Sequence, residues 1–524
     1  MRQRFIFVLL FFLSLGSQVF AAEPVRPNII MVNIDSLRAD HIGAYGYPKN
    51  TTPFLDSFFS QGIVFENAIA PGFLTFQTDA AIFSGLYPSR NHVQTWLTQI
   101  NPKIDLLPGI LKAYGYRTAA FVSPSLWQTF GLNKQFESYK INLNMKNCAE
   151  SKKDVIDWIA KSKTPFFMFW HIYDVHLPYI HPQNNRYRGI LSRDLKWQWE
   201  GQSAQSFHFA GPPYGGSIGQ SCPAVQPLKT IFAPSYFVNA SDGIGTSNVY
   251  ETIQNSALSA FQYSISSAFG MSDVPVKDYK PNSDDLKYLR ESYDAGIKYV
   301  DDQLKSFFEV LRRRGFLNNT IVVVSSEHGE DLGEHGYYFH RDVYDVNTRV
   351  PLVIIAPQRA HKKISEAVSL LDIMPTLLTM ASIPVPQNID GIDLSPLING
   401  HSIKRDVFTE RPIFDEYAVR HGNWKFILRN PNMMKAAEQS HDFFMLRIAQ
   451  AGLSGRNELY DLSKDPYEQK NLIGRGLASE KDLDVAATAF RFKMQQGREN
   501  NKNLGDVLPP GSIPMHKGVF IKYP

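Results

Sequence analysis

The chain is predicted to be an α/β protein built on a mostly parallel central sheet, and three observations lead there. Apolar, β-branched or aromatic runs recur that are too continuous for half-exposed strands: NIIMVNI (28–34), IVFENAIA (63–70), RTAAFVS (117–123), PFFMFWH (165–171), TIVVV (320–324) and VPLVIIAP (350–357). Helical patterns alternate with them near 53–59, 105–114, 148–161 and 372–380, the order that buries parallel strands under helices on both faces. Polar, chemistry-bearing residues cluster directly behind several of the strands, and the carboxyl edge is where open α/β sheets bind ligands.

Local signals support each element. Thr51 or Thr52 is placed to cap a helix opening at Pro53, with Phe54, Leu55, Phe58 and Phe59 on its apolar side and Gly62 as its stop. In the stretch 286–316, Leu289, Tyr293, Ile297, Val300, Leu304, Phe308 and Leu311 recur every three or four residues, the stripe of a long amphipathic helix that Gly315 ends. Between about 183 and 284 the pattern lapses into Gly, Ser, Pro and aromatic residues, which reads as an insertion overhanging the active face. Beyond 400, AVRHGNWKFIL (418–428) looks like a strand, and with NELYDLSKDPYEQKNLI (457–473) suggests a smaller antiparallel unit.

Composition narrows the class. With 524 residues, 44% hydrophobic and 20% charged, the chain suffices for a large core and a smaller second one. Its net charge of +4 includes Arg2 and Arg4, which precede FIFVLLFFLSL (5–15) and the small residues Val19, Ala21 and Ala22. That is the layout of a secretory signal over 1–22, too short in its apolar run to remain as a membrane anchor. A secreted or periplasmic protein with no nucleic-acid partner is expected, because the remaining charge is nearly balanced and no basic stripe appears. Cys148 and Cys222 would then meet an oxidising compartment in which pairing is open to them.

The candidate chemistry centres on SSEHGEDLGEHG (325–336), directly behind TIVVV. Glu327 and His328 offer an oxygen and a nitrogen to a divalent metal from one chain turn, with His335 and His340 close behind. Asp35 arrives at the end of the first strand, and His176 and His181 follow PFFMFWH at the same edge. Thr75 lies where a loop gives way to TDAAIF, presenting its hydroxyl at a helix start where unpaired N–H groups attract anions.

The stretches NIDSLRADHIGAYGY, TTPFLDSFFSQGIVFENAIAP, GLYPSRN, YDVHLPY, NTIVVVSSEHGEDLGEHG, RVPLVIIAP, LDIMPTLL and ELYDLSKDPYEQKNL, in this order, resemble the sulfatase family of the alkaline-phosphatase superfamily. The resemblance implies an alkaline-phosphatase-like α/β sandwich with a small C-terminal antiparallel sheet domain, a catalytic domain over 23–400 and a C-terminal subdomain over 401–524. It also implies one divalent metal ion held by Asp35, Thr75, Glu327 and His328, with His176 and His340 near the transferred anion and His335 as a further substrate-binding candidate. Five positions depart from the family pattern. Thr75, Gln77 and Asp79 stand where Cys or Ser, Pro and Arg form the formylglycine signal, Ser36 stands for the second carboxylate, and Glu327 for an aspartate.

Threonine does not give the aldehyde, so phosphoesters are expected in preference to sulfate esters, with Thr75 itself as nucleophile. A mixed oxygen and nitrogen set suits manganese or zinc better than calcium. The expected activity is hydrolysis or group transfer on an anionic small molecule, glycan or lipid. The alternative is a non-catalytic relative that binds a sulfated or phosphorylated glycan or lipid.

Overall fold

The computed structural model describes residues 26–502 except 96–97, 124–129, 143–146, 163–164, 177–178, 180–282, 337–339, 358 and 433–454. The expected signal segment, nearly all of the expected insertion, His181 and Cys222 lie outside the described residues, and with them any pairing of Cys148.

Eight strands form the main sheet: β1 (Asn28–Ile34), β2 (Ile63–Ile69), β3 (Arg117–Val122), β4 (Ser138–Ile141), β5 (Phe166–Ile172), β6 (Thr320–Ser325), β7 (Arg349–Ile355) and β8 (Lys362–Ser369). Their order is β4-β3-β5-β1-β6-β7-β2-β8. All neighbours pair in parallel except at β7, which runs antiparallel to both β6 and β2. VPLVIIAP is therefore a strand, but a reversed one. The chain leaving β6 has no crossover helix; it loops along the carboxyl edge and enters β7 from that side, so it must return.

Every residue of β1, β5 and β6 is buried, as strands covered on both faces require. One face of β1, with Ile29 and Met31, packs on Phe76, Ile82 and Phe83 of a helix over Thr75–Ser84 and on Ile373 and Leu377 of another over Ile373–Met380. The other face, with Ile30, Val32 and Ile34, meets Leu55, Phe58 and Phe59 from Pro53–Phe59, Val155 and Ile159 from Cys148–Lys161, and all seven stripe residues of Ser283–Arg313. In chain order, with the short Leu107–Ala113 included, these helices are α1 (Pro53–Phe59), α2 (Thr75–Ser84), α3 (Leu107–Ala113), α4 (Cys148–Lys161), α5 (Ser283–Arg313) and α6 (Ile373–Met380).

Two local expectations change. Thr52 occupies the N-cap of α1 but makes no capping bond; its hydroxyl takes the Gly43 N–H and donates to Asp56. The cap comes from α5, where the Asp301 carboxylate accepts the N–H groups of Phe54 and Leu55. The stretch AVRHGNWKFIL is a hairpin rather than one strand, because Gly422, at φ 57°, and Asn423 form a two-residue turn that pairs His421 with Trp424.

The small sheet is antiparallel, with β9 (Val407–Arg411), β10 (Glu416–His421), β11 (Trp424–Leu428) and β12 (Glu458–Asp461) in the order β12-β11-β10-β9. One face packs on Leu483, Ala487, Phe490 and Met494 of α7 (Ala478–Asn501), a helix whose three- and four-residue spacing was present in the sequence but not read. The other face covers Val343, Tyr344 and Val346 in the loop between β6 and β7.

Buried ion pairs fasten that loop to the small sheet. Asp342 accepts from Arg429 at 2.6 Å, and Asp345 accepts from Arg420 at 2.6 Å and Lys425 at 2.7 Å. Burial alone would raise both carboxyls, but Arg429 with Arg411 at Asp342, and Lys425 with Arg420 at Asp345, outweigh it and bring each down to about 2. An acid whose folded value lies below its unfolded one, near 3.9, stabilises the fold fully above about pH 4 and loses that contribution as pH falls toward 2. Thermal unfolding should therefore show stability dropping between pH 4 and 2 by roughly 2 kcal/mol per carboxylate. Asp342→Asn should weaken the fold at pH 7, by on the order of 3 kcal/mol, because it leaves buried cations less compensated.

Candidate active site

Of the eight residues singled out in the sequence, His181 lies outside the described residues, and six of the other seven meet at the carboxyl edge of β1, β5 and β6. Asp35 follows β1 in a turn whose next residue, Ser36, is held at φ 61°, a costly conformation for a residue with a Cβ. Tyr293 of α5 clamps this turn: its hydroxyl donates to the Ser36 carbonyl at 2.6 Å and accepts the Arg38 N–H at 2.9 Å. Ser36 is not a second carboxylate here, but its hydroxyl donates to Asp35 Oδ1 at 3.0 Å.

Glu327 and His328 emerge from β6. His328 Nδ1 lies 3.0 Å from the Gly329 carbonyl, which only accepts, so the ring proton sits on Nδ1 and the Nε2 lone pair faces the site. Thr75 Oγ1 is 3.1 Å from that Nε2. Thr75 is the first residue of α2 rather than its cap; Leu74 holds the cap position, and the first helical bond runs from Thr78 N to Leu74 O. The helix thus begins at the hydroxyl, with the 75–77 amides lacking an acceptor within the helix.

His340 packs against His328 with ring centroids 3.7 Å apart and the planes tilted by 32°, and His176 meets His340 edge-on at 5.2 Å. Both are buried. His335 is directed elsewhere: its nitrogens engage Asp331 Oδ2 and the Tyr467 carbonyl, and its ring stacks on Tyr344. Both nitrogens then act as donors, and although burial opposes it, Asp331 raises the group above its ordinary value. This imidazolium ties the loop to the C-terminal region, which leaves no ring nitrogen for the substrate anion expected of it.

Reasoning from sequence missed a polar row beneath these groups. Asn33 of β1 pairs in register with His171 of β5 on one side and Ser325 of β6 on the other. The Asn33 amide donates to Glu327 Oε2 at 2.9 Å and to Asp79 Oδ1 at 3.1 Å, and Ser325 donates to Asn33 Oδ1 at 3.0 Å. His171 Nε2 lies 3.0 Å from Glu327 Oε1. The available signal was a polar residue at or next to the carboxyl end of each otherwise apolar run, NIIMVNI and PFFMFWH.

These residues fit a divalent cation. One donor atom each from Asp35, Glu327 and His328 lies within 4.8 Å of the others, and all three residues are buried. Asp35 Oδ2, enclosed by the fold, has no hydrogen-bond partner among the described residues. Burial, then the adjacent Glu327, pushes Asp35 well above the usual carboxylate range; burial pushes Glu327 up to about 8. Burial, then His340, pushes His328 well below its ordinary value, which keeps its lone pair available. Such a pocket disfavours two carboxylates by themselves and favours them around positive charge.

The model of the Sulfatase family matches residues 27–383, and that of the N-sulphoglucosamine sulphohydrolase C-terminal region matches residues 333–487. The chain belongs to the Sulfatase family, within the alkaline-phosphatase superfamily, and is an enzyme of ester bonds. It is 23% identical to an arylsulfatase of Clostridium perfringens, over 93% of this chain and 98% of that protein. It is 24% identical to an N-acetylglucosamine-6-O-sulfatase of Bacteroides thetaiotaomicron, over 93% of this chain and 88% of that protein. Among solved structures, a protein in complex with its substrate D-glucosamine-2-N,6-O-disulfate superposes with a TM-score of 0.62 at 19% identity, covering 91% of this chain and 99% of that one. The phosphonate monoester hydrolase of Agrobacterium radiobacter does so with a TM-score of 0.58 at 16% identity, over 91% and 96%. These likenesses support the expected alkaline-phosphatase-like sandwich, and the family favours the catalytic alternative over the non-catalytic one.

Removing any one of the three donors should weaken binding beyond the roughly 10–100-fold that loss of a supporting partner costs. Glu327→Gln and His328→Ala proteins, loaded with zinc or manganese and desalted, should retain far less metal by elemental analysis. They should also lose the thermal stabilisation that added metal gives the parent chain.

Proposed function

We propose that the protein is an exported, metal-dependent hydrolase or transferase of anionic esters, with Thr75 as nucleophile and phosphoesters preferred over sulfate esters. The observation that carries this is the position of Thr75 Oγ1, 3.1 Å from His328 Nε2 at the mouth of α2. Asp35, Thr75, Glu327 and His328 would hold one divalent ion, and the nitrogen in that set favours manganese or zinc, with calcium less suited. When bound, the ion would supply Lewis-acid polarisation of the ester and a lowered pKa at the hydroxyl.

The side chains account for the rest of the reaction. The Thr75 proton passes to solvent water, and Oγ1 then forms a bond to phosphorus while the bond to the leaving oxygen breaks. The amides at the start of α2 point their dipole toward the charge on the non-bridging oxygens. Burial, with Arg341 adding to it, pushes His340 well below its ordinary value, so near neutral pH it is an uncharged hydrogen-bond donor to the anion. That leaves His176 to hand a proton to the leaving oxygen. Water, or an acceptor alcohol in a transferase, then gives its proton to His176 as its oxygen bonds to phosphorus, and the Thr75 Oγ1–P bond breaks.

Sulfate is less suited to this course, because a threonine sulfate has no geminal hydroxyl through which to expel the anion. The relatives named for N-acetylglucosamine-6-O-sulfate and glucosamine disulfate support a sugar-borne anionic ester, and the phosphonate monoester hydrolase supports phosphorus chemistry on this scaffold. Lipid and small-molecule esters remain within the same chemistry. Export is supported by Arg2, Arg4 and the apolar run 5–15.

The test is turnover of aryl phosphodiesters, aryl phosphates and aryl sulfates by the purified protein with manganese or zinc. Phosphoester turnover should exceed sulfate turnover, fall at least about a thousandfold in Thr75→Ala and survive in part in Thr75→Ser. Sulfate turnover that persists in Thr75→Ala would overturn the proposal.

A further inference from the structure

We propose that His171 supplies a fourth side-chain ligand to the metal centre, its Nε2 adding a second nitrogen to Asp35, Glu327 and His328. This rests on the metal-dependent reading above and extends it to a residue that neither the family match nor the sequence motifs assign.

The orientation of the ring carries the inference. His171 is the penultimate residue of β5, level with Asn33 of β1, so its side chain lies directly beneath the Asp35 turn. Its Nδ1 is bonded to the Ser123 carbonyl. A carbonyl only accepts, so Nδ1 carries the hydrogen and the lone pair of the neutral ring belongs to Nε2. That nitrogen faces Glu327 Oε1 at 3.0 Å and Asp35 Oδ2 at 3.7 Å. Three electron-rich atoms therefore converge in a region that the fold closes to solvent: His171, Asp35 and Glu327 are all buried. A neutral ring in this orientation turns its lone pair toward the same two carboxylates that would share a cation.

Distances and anchoring agree. Donor atoms sharing an ion at 2.0–2.2 Å stand roughly 3 to 3.5 Å apart, close to the two separations at His171. The Asp35 carboxylate turns one oxygen to each imidazole, Oδ1 to His328 Nε2 and Oδ2 to His171 Nε2, both at 3.7 Å. Metal-bound histidines characteristically donate their other ring N–H to a carbonyl, and His171 and His328 both do so. Glu327, one methylene longer than aspartate, meets Asn33 with one oxygen and His171 with the other.

The competing role is that of a doubly protonated His171 that only holds Glu327 in place. X-ray absorption on the full chain loaded with zinc separates the two. The expected result is two imidazoles on the metal in the parent protein and one in His171→Gln, whose amide can still donate to Glu327. Zinc affinity, measured by competition with a chelating dye, should fall at least about tenfold in that variant. One imidazole in the parent protein would overturn the proposal, as would unchanged zinc affinity in a folded His171→Gln. If the variant does not fold, the imidazole count of the parent decides. Failure of the parent protein to retain any metal would instead overturn the metal-dependent reading itself, and this proposal with it.

Discussion

The arrangement turns on two carboxylates, Asp35 and Glu327, enclosed together at the edge of a sheet. Adjacent acids shut away from water repel each other and resist ionisation. The surrounding structure compensates on every side: Ser36 donates to Asp35, Asn33 donates to Glu327, and the rings of His171 and His328 stand on either side of Asp35. The strain at Ser36 is held by Tyr293, which places a long helix under the turn. These features have in common that they keep anionic oxygens pointed at one small volume.

Much of this could be read from the residues. Continuous apolar runs announced buried strands, and the stripe from Leu289 to Leu311 announced α5, because burial on both faces of a sheet or one side of a helix leaves a periodic trace. Asp35, Thr75, Glu327 and His328 stood out because they follow strands or open a helix. Asn33 and His171 did not, since each is one polar letter in an apolar run and its meaning depends on which strands lie side by side. Strand order is set by tertiary packing, which no local pattern reports. The same holds for Asp301, whose role as a cap for α1 comes from a residue more than two hundred positions away. His335 misled for the opposite reason: it lies in the motif but faces away from the chemistry.

The small sheet has more to do with the site than its size suggests. Arg420, Lys425 and Arg429 reach into the loop after β6 and neutralise Asp345 and Asp342, five and two residues past His340. Charged pairs this enclosed add little net stability over apolar packing, but they are intolerant of displacement. They therefore fix where the loop lies, and with it the imidazole packed against His328.

The loop that starts behind β6 also ends at the same edge, because β7 is reversed. Its two limbs are laced together where Gly329 N meets the Asn347 carbonyl and Glu330 N meets that of Val346. The fit is so close that a Cβ at Gly329 would stand 2.0 Å from the Val346 oxygen. A ribbon sewn at both hems cannot absorb a change in length by sliding. Gain or loss of a single residue between 330 and 346 would have to be taken up beyond that seam, on the stretch that carries His340 to His328.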